Sequence, residues 1–154
     1  MFISGNDTMQ ASQTLTAGQV MSVARPGSRK TFMELRDGLK VGRTSDGAPR
    51  PFSVVEAAMF TLAARLTGHG LRRVEAIAIA SQARDDLARL IENPADDRRW
   101  LIASRQNDAD PWSIQVVDEF GSPEIFDDEA SETFAAINLR RVVRDVLATG
   151  AHVA

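Results

Sequence analysis

The run Ser28-Arg29-Lys30-Thr31-Phe32-Met33-Glu34-Leu35-Arg36-Asp37-Gly38 decides the fold, together with Val41-Gly42-Arg43-Thr44-Ser45-Asp46-Gly47-Ala48-Pro49-Arg50-Pro51-Phe52-Ser53-Val54-Val55-Glu56. Ser28 can cap a helix over about Arg29 to Asp37, which turns Phe32 and Leu35 inward with Met33 beside them. Gly38 suits the left-handed residue that ends such a helix. Asp46-Gly47 is a hairpin-turn dipeptide flanked by Arg43 and Arg50, and Pro49 and Pro51 restrict any strand there to a short edge piece. Ser53 and Glu56 form a capping box that opens the next helix.

Working outward, Leu15 to Ala24 reads as a short helix with Thr16 as its cap and Leu15, Val20 and Val23 as its apolar contacts. Arg25-Pro26-Gly27-Ser28 is a turn. Two short helices around a glycine-containing turn make a helix-turn-helix, and the hairpin behind them reads as a wing. The helix after the wing extends to about Thr67 and buries Val54, Ala57, Ala58, Phe60, Leu62 and Leu66, ending at Gly68-His69-Gly70. A further helix over Leu71 to Glu92 carries Leu71, Val74, Ile77, Ala78, Leu87, Leu90 and Ile91 until Asn93-Pro94 stops it.

The second half changes character. Trp100 to Ser104 and Trp112 to Val117 are short β-type runs, and the Glu119 to Glu132 stretch reads as an acidic loop. Thr133 to Ile137 fits a third strand, with Asn138 capping a last helix over Leu139 to Leu147; a continuous helix from about Ala130 fits the same periodicity. The expected fold class is mainly α with small β (α+β). A flexible tail over 1–13 precedes a winged helix-turn-helix over 14–93. A small strand-strand-(strand)-helix unit over 94–154 is left for dimerisation, or for a ligand or partner protein.

The 154 residues contain no cysteine, which removes disulfides, thiolate metal sites and cysteine nucleophiles together. No signal-peptide pattern or membrane-spanning run is apparent, so a cytoplasmic protein is expected. The net charge of −3 hides an asymmetry. Residues 25–73 carry ten Lys/Arg against four acids, whereas residues 94–154 carry six arginines against twelve acids. A basic half joined to an acidic half suggests a polyanion-binding module attached to something else; two ordinary solvated faces are the plain alternative.

From the wing onward the residues are more specific. Gly47, Arg50, Phe52, Ser53, Glu56 and Ala57 resemble the MerR-family junction of Gly-x-x-Arg-x-aromatic-Ser followed by an acid and a helix. Leu66, Gly68, Gly70, Leu71, Val74 and Ile77 are similar to that family's next helix boundary. Thr31-Phe32 and Gly38-Leu39 sit roughly where the family has them, so the resemblance covers about residues 15–80. It implies a winged helix-turn-helix that binds DNA. Phe32-Met33-Glu34 stands where the family has an arginine-tyrosine pair, cysteine effector sites have no counterpart here, and the long dimerisation helix is missing. The resemblance therefore implies the DNA-binding mode and leaves out the sensing chemistry.

In such a module the second helix enters the major groove and flanking cations hold phosphates. Arg29, Lys30 and Thr31 occupy its first turn. Arg29 is the best base reader, because a planar guanidinium can bond guanine O6 and N7 together. Thr31 fits a backbone or phosphate contact, and Arg36 and Lys40 are expected on the side facing the DNA backbone. Arg43 and Arg50 project from the wing toward the minor groove or phosphates, with Arg72 and Arg73 as peripheral contacts. Trp100 and Trp112 stack on one another or line a small pocket, although plain packing fits them better. The last helix, with Arg140, Arg141 and Arg144 opposite its apolar ladder, is a candidate dimerisation surface.

No catalytic constellation, cofactor motif or metal-ligand spacing is apparent. His69 and His152 read as exposed, and Asp85-Asp86 and Asp127-Asp128-Glu129 as solvated acids. The function expected is a sequence-specific transcriptional regulator binding double-stranded DNA as a homodimer. An excisionase-like architectural DNA-binding factor, a protein-binding adaptor without DNA activity and a small enzyme in the C-terminal half are the rivals.

Overall fold

A computed structural model describes residues 13–107, 109–118 and 133–151. The tail at 1–12, the acidic stretch at 119–132 and His152 lie outside the described residues. The described elements run β1 Thr14–Leu15, α1 Ala17–Ala24, α2 Arg29–Leu39, β2 Phe52–Ser53, α3 Val54–Gly68, α4 Arg73–Gln82 and α5 Arg84–Glu92. Then follow β3 Trp100–Arg105, β4 Ser113–Val117, β5 Thr133–Asn138 and α6 Leu139–Ala151. This is an α+β fold, as expected. No helix among the described residues is long and apolar enough to cross a membrane.

Helix α3 organises the rest. It is apolar around most of its circumference, and a helix of that kind must be enclosed. Ala57, Ala58, Phe60, Leu62 and Ala63 are fully buried. The alanines let neighbouring helices approach closely, and α1, α2, α4, α5 and α6 all pack on it. Three rings from three elements, Phe32 of α2, Phe52 of β2 and Phe60 of α3, meet with centroids 4.9–6.2 Å apart. Such aromatic contacts contribute ~0.5–1.5 kcal/mol each beyond burial, which fixes α2 against the core.

Several expected signals act as anticipated. Thr16 and Ser53 form capping boxes with Gln19 and Glu56, and Ser28 accepts from the Thr31 N–H. Asn138 Oδ1 accepts from the Arg141 N–H at the start of α6. Residues 133–138 are a strand and not part of a continuous helix. They complete an antiparallel sheet in the order β4-β3-β5, with Leu101 opposite both Val116 and Ile137.

Other expectations need correction. Leu15 lies in β1, where it pairs with Phe52, and α1 starts after it. Gly38 does not end α2; Lys40 does, in the left-handed region at φ 58°. Gly38 lies within the helix because α4 crosses there, and a Cβ at that position would come 2.4 Å from Ile77 Cδ1. The helix expected over 71–92 is two, broken at the fully buried Ala83, where ψ is 0°. Leu87 and Leu90 are in the core, but Val74 and Ala78, expected among the apolar contacts, are exposed, because α4 turns Ala76, Ile79 and Ala80 inward instead. The apolar stripe of α6, considered for dimerisation, is spent inside the chain: Leu139, Val142, Val143 and Val146 are buried where α6 packs on α3, α1 and α5.

Behind α2 the hairpin is short and closed by Thr44 N–H to Ala48 O (2.8 Å) and Arg50 N–H to Gly42 O (2.9 Å). Its base depends on Gly42, at φ 66°, where a Cβ would lie 2.6 Å from the buried Phe52 ring. Gly42→Ala combines left-handed strain with overpacking, so about 3 kcal/mol of stability should be lost. Urea unfolding reads this directly; a midpoint unchanged from the parent protein would contradict it.

Candidate nucleic-acid interface

The exposed side of α2 follows from its apolar pattern. Phe32, Leu35 and Leu39 point into the core, so Lys30 and Asp37 lie opposite them, with Arg29 and Met33 along one flank and Lys40 at the C-terminal end. Arg29, Lys30 and Lys40 are exposed and have no ion-pair partner among the described residues. The acids around them are each matched. Arg43 of the hairpin reaches Asp37 at 3.0 Å, and Arg73 of α4 bonds Glu34. The hairpin therefore lies beside the exposed face of α2, joined to it through Asp37.

The remaining expected contact residues have other positions. Thr31 is buried: its hydroxyl accepts from Ser28 Oγ and from Arg73 Nη2 at 3.1 Å, which ties the first turn of α2 to α4. Arg36, expected to face the DNA backbone, is only 9% exposed. Its guanidinium lies 5.5 Å from the centre of the Phe32 ring and donates to Met33 Sδ. Burial, with the neighbouring Arg43 charge, lowers its pKa below the usual arginine value. Arg43 also donates to the Gly47 carbonyl across the hairpin at 2.9 Å.

Arg50, read from the sequence as a phosphate contact, closes a fork on Glu56 instead, with Nη1–Oε1 2.6 Å and Nη2–Oε2 2.8 Å. Glu56 is 6% exposed in its side chain and also accepts from the N–H groups of Ser53 and Gly42. Burial pushes the Glu56 carboxyl up, yet the bonds from Arg50 and Ser53 outweigh it and leave it below the usual carboxylate range. The same pair raises Arg50. One carboxylate thus fastens the hairpin base, β2 and the first turn of α3.

Arg72 and Arg73 are likewise engaged, Arg72 with Glu75 at 2.8 Å and Arg73 with Glu34 and Thr31. The tryptophans do not meet across the sheet: Trp100 pairs with Val117 at one end of the β3–β4 ladder, and Trp112 adjoins Ser113 at the other. Trp112 instead donates its indole N–H to Glu75 at 2.8 Å, while the Arg105 guanidinium lies 4.5 Å from the indole centre and 2.5 Å from Glu75. This buried cluster fastens the sheet to the start of α4. No periodicity signals it, because its members are 30 and 37 residues from Glu75.

The chain matches no protein-family model, and no curated protein is similar to it.

Proposed function

We propose that the chain is a sequence-specific DNA-binding transcriptional regulator that sets α2 in the major groove, with the Gly42–Arg50 hairpin beside it as a wing. The MerR-like features of residues 15–80 agree with this reading. The observation that carries it is the charge on the exposed face of α2. Arg29, Lys30 and Lys40 stand without carboxylate partners among the described residues, while Glu34, Asp37 and Glu56 nearby are each neutralised by an arginine from another element. A face cleared of negative charge in this way attracts a polyanion. Arg29, in the first turn, is the base-reading candidate, and Lys30 and Lys40 hold phosphates. Arg43 supports the face through Asp37, and Arg50 serves the protein's own clamp. A homodimer on two half-sites supplies affinity that one module's limited surface cannot.

Lys40 offers a clean test because its left-handed conformation suits glycine, so Lys40→Gly removes the charge while leaving the helix end unstrained. Affinity for a mixed duplex pool should fall steeply between ~50 and ~200 mM salt, and Lys40→Gly should reduce the slope of log affinity against log salt by about 1. Fluorescence anisotropy measures both. Absence of binding even at the lower salt would remove the proposal, and a monomer on a two-half-site duplex by sedimentation would remove its dimeric part.

A further inference from the structure

Away from α2, the C-terminal ends of α1 and α3, the Trp100 end of β3, the end of β5 and one stripe of α6 line an open cleft of about 970 Å³. That is at the upper end of small-molecule sites, and its surface is more polar than apolar. Val23, Ala64, Ile137 and the half-buried Trp100 supply apolar and aromatic wall. The charges lining it are unbalanced. Asp145 is its carboxylate among the described residues, and Arg65 already occupies it at 2.7 Å. Arg25 and Arg141 remain, both exposed and neither with an ion-pair partner among the described residues.

Arg25 is unusual for a second reason. It caps α1 in the left-handed region at φ 51°, a conformation that glycine adopts without strain and arginine does not. A cation at a helix C-terminus gains something from the dipole, but in a helix this short and exposed that gain is comparable to the strain. Backbone stability alone therefore does not select arginine over glycine here.

We propose that this cleft is a binding site for a small aromatic carboxylate, its anionic end held by Arg25 and Arg141 and its ring laid against Trp100 and the apolar wall. Guanidinium forks match a carboxylate, and an aromatic ring matches the wall formed by Trp100, Val23, Ala64 and Ile137. The proposal does not rest on DNA binding and is tested without DNA.

Isothermal titration of the full chain with benzoate, salicylate and 2-naphthoate tests it, with 2-naphthalenemethanol as the uncharged counterpart. At least one carboxylate should bind, and the alcohol should bind about tenfold or more weakly than 2-naphthoate. Arg25→Gly and Arg141→Ala should each weaken carboxylate binding by a similar factor. Arg25→Gly relieves backbone strain, so its melting temperature should equal or exceed the parent's, separating lost binding from lost folding. No binding by any of the three acids up to ~10 mM, equal binding of the alcohol, or undiminished binding in both variants would overturn the proposal.

Discussion

Glu56→Ala should lower the stability of the protein by about 3 kcal/mol, the cost of taking a shared acceptor from two backbone N–H groups and the capping box from α3. The effect is large because four bonds end on one carboxylate. Oε1 accepts from Arg50 Nη1 and the Ser53 N–H, and Oε2 from Arg50 Nη2 and the Gly42 N–H. Alanine leaves the two backbone donors without this acceptor and removes the N-terminal box of α3 as well. For a domain of this size, ~3 kcal/mol corresponds to a melting temperature lower by roughly 10 °C. Arg50→Ala should cost less, since Glu56 would keep its two backbone donors and Arg50 is already 38% exposed in its side chain. Thermal melts of both variants check the order; equal stability of Glu56→Ala and the parent would show that the clamp does not hold the hairpin.

The second large effect concerns acid. Burial pushes the Glu75 carboxyl up, but hydrogen bonds from Arg72 and Trp112, with the Arg105 charge, hold it down to about 2. A carboxyl whose folded pKa is depressed contributes stability above its unfolded value, and loses it as pH falls through the folded one. The window therefore runs from roughly pH 4.5, the ordinary glutamate range, down to about 2. At neutral pH, Glu75→Gln should cost about 2 kcal/mol, since it weakens the charge-assisted bonds that the carboxylate accepts from Arg72, Trp112 and Arg105. The difference from the parent should shrink as pH falls across the window. Denaturant midpoints measured from pH 7 to pH 2 test both parts, and a gap that stays constant with pH would contradict the linkage.

These two carboxylates also show what the sequence could reveal. Glu56 is visible as the third residue of a capping box, because that signal is local: Ser53 and Glu56 meet in any helix that starts there. Its partnership with Arg50 is not visible, since the same arginine reads equally well as a solvent-facing phosphate contact until the hairpin base is placed beside α3. Glu75 gives no signal at all, because Trp112 and Arg105 reach it only once the sheet has docked on α4. Helix caps, the hairpin and the first two strands of the sheet were legible from local signals, whereas periodicity left residues 133–137 open between a strand and a helix. Gly38 misled because a glycine near a helix end fits a terminus and a helix crossing alike, and only the position of Ile77 decides between them. Val74 misled because the set Val74, Ile77 and Ala78 and the set Ala76, Ile79 and Ala80 both fit helical spacing, and the second is the one α4 buries. For the candidate site, Arg29 and Lys30 were legible as cations in the first turn of the helix, and Lys40 as a cation just past its end. Thr31 and Arg36 were not, because their burial depends on Arg73 and on how a long side chain folds over Phe32.

Selection from a genomic fragment library, with the parent protein and Arg29→Ala in parallel, tests the central claim most directly. Loss of a base-reading arginine should cost about 1–3 kcal/mol and relax the preference at its position, whereas loss of a phosphate contact weakens all sequences alike. The parent should enrich a short motif, and Arg29→Ala should blur it at one base pair of each half-site. Failure to enrich any sequence, with no retention of DNA at low salt, would contradict the account and leave the exposed face of α2 without a nucleic-acid role.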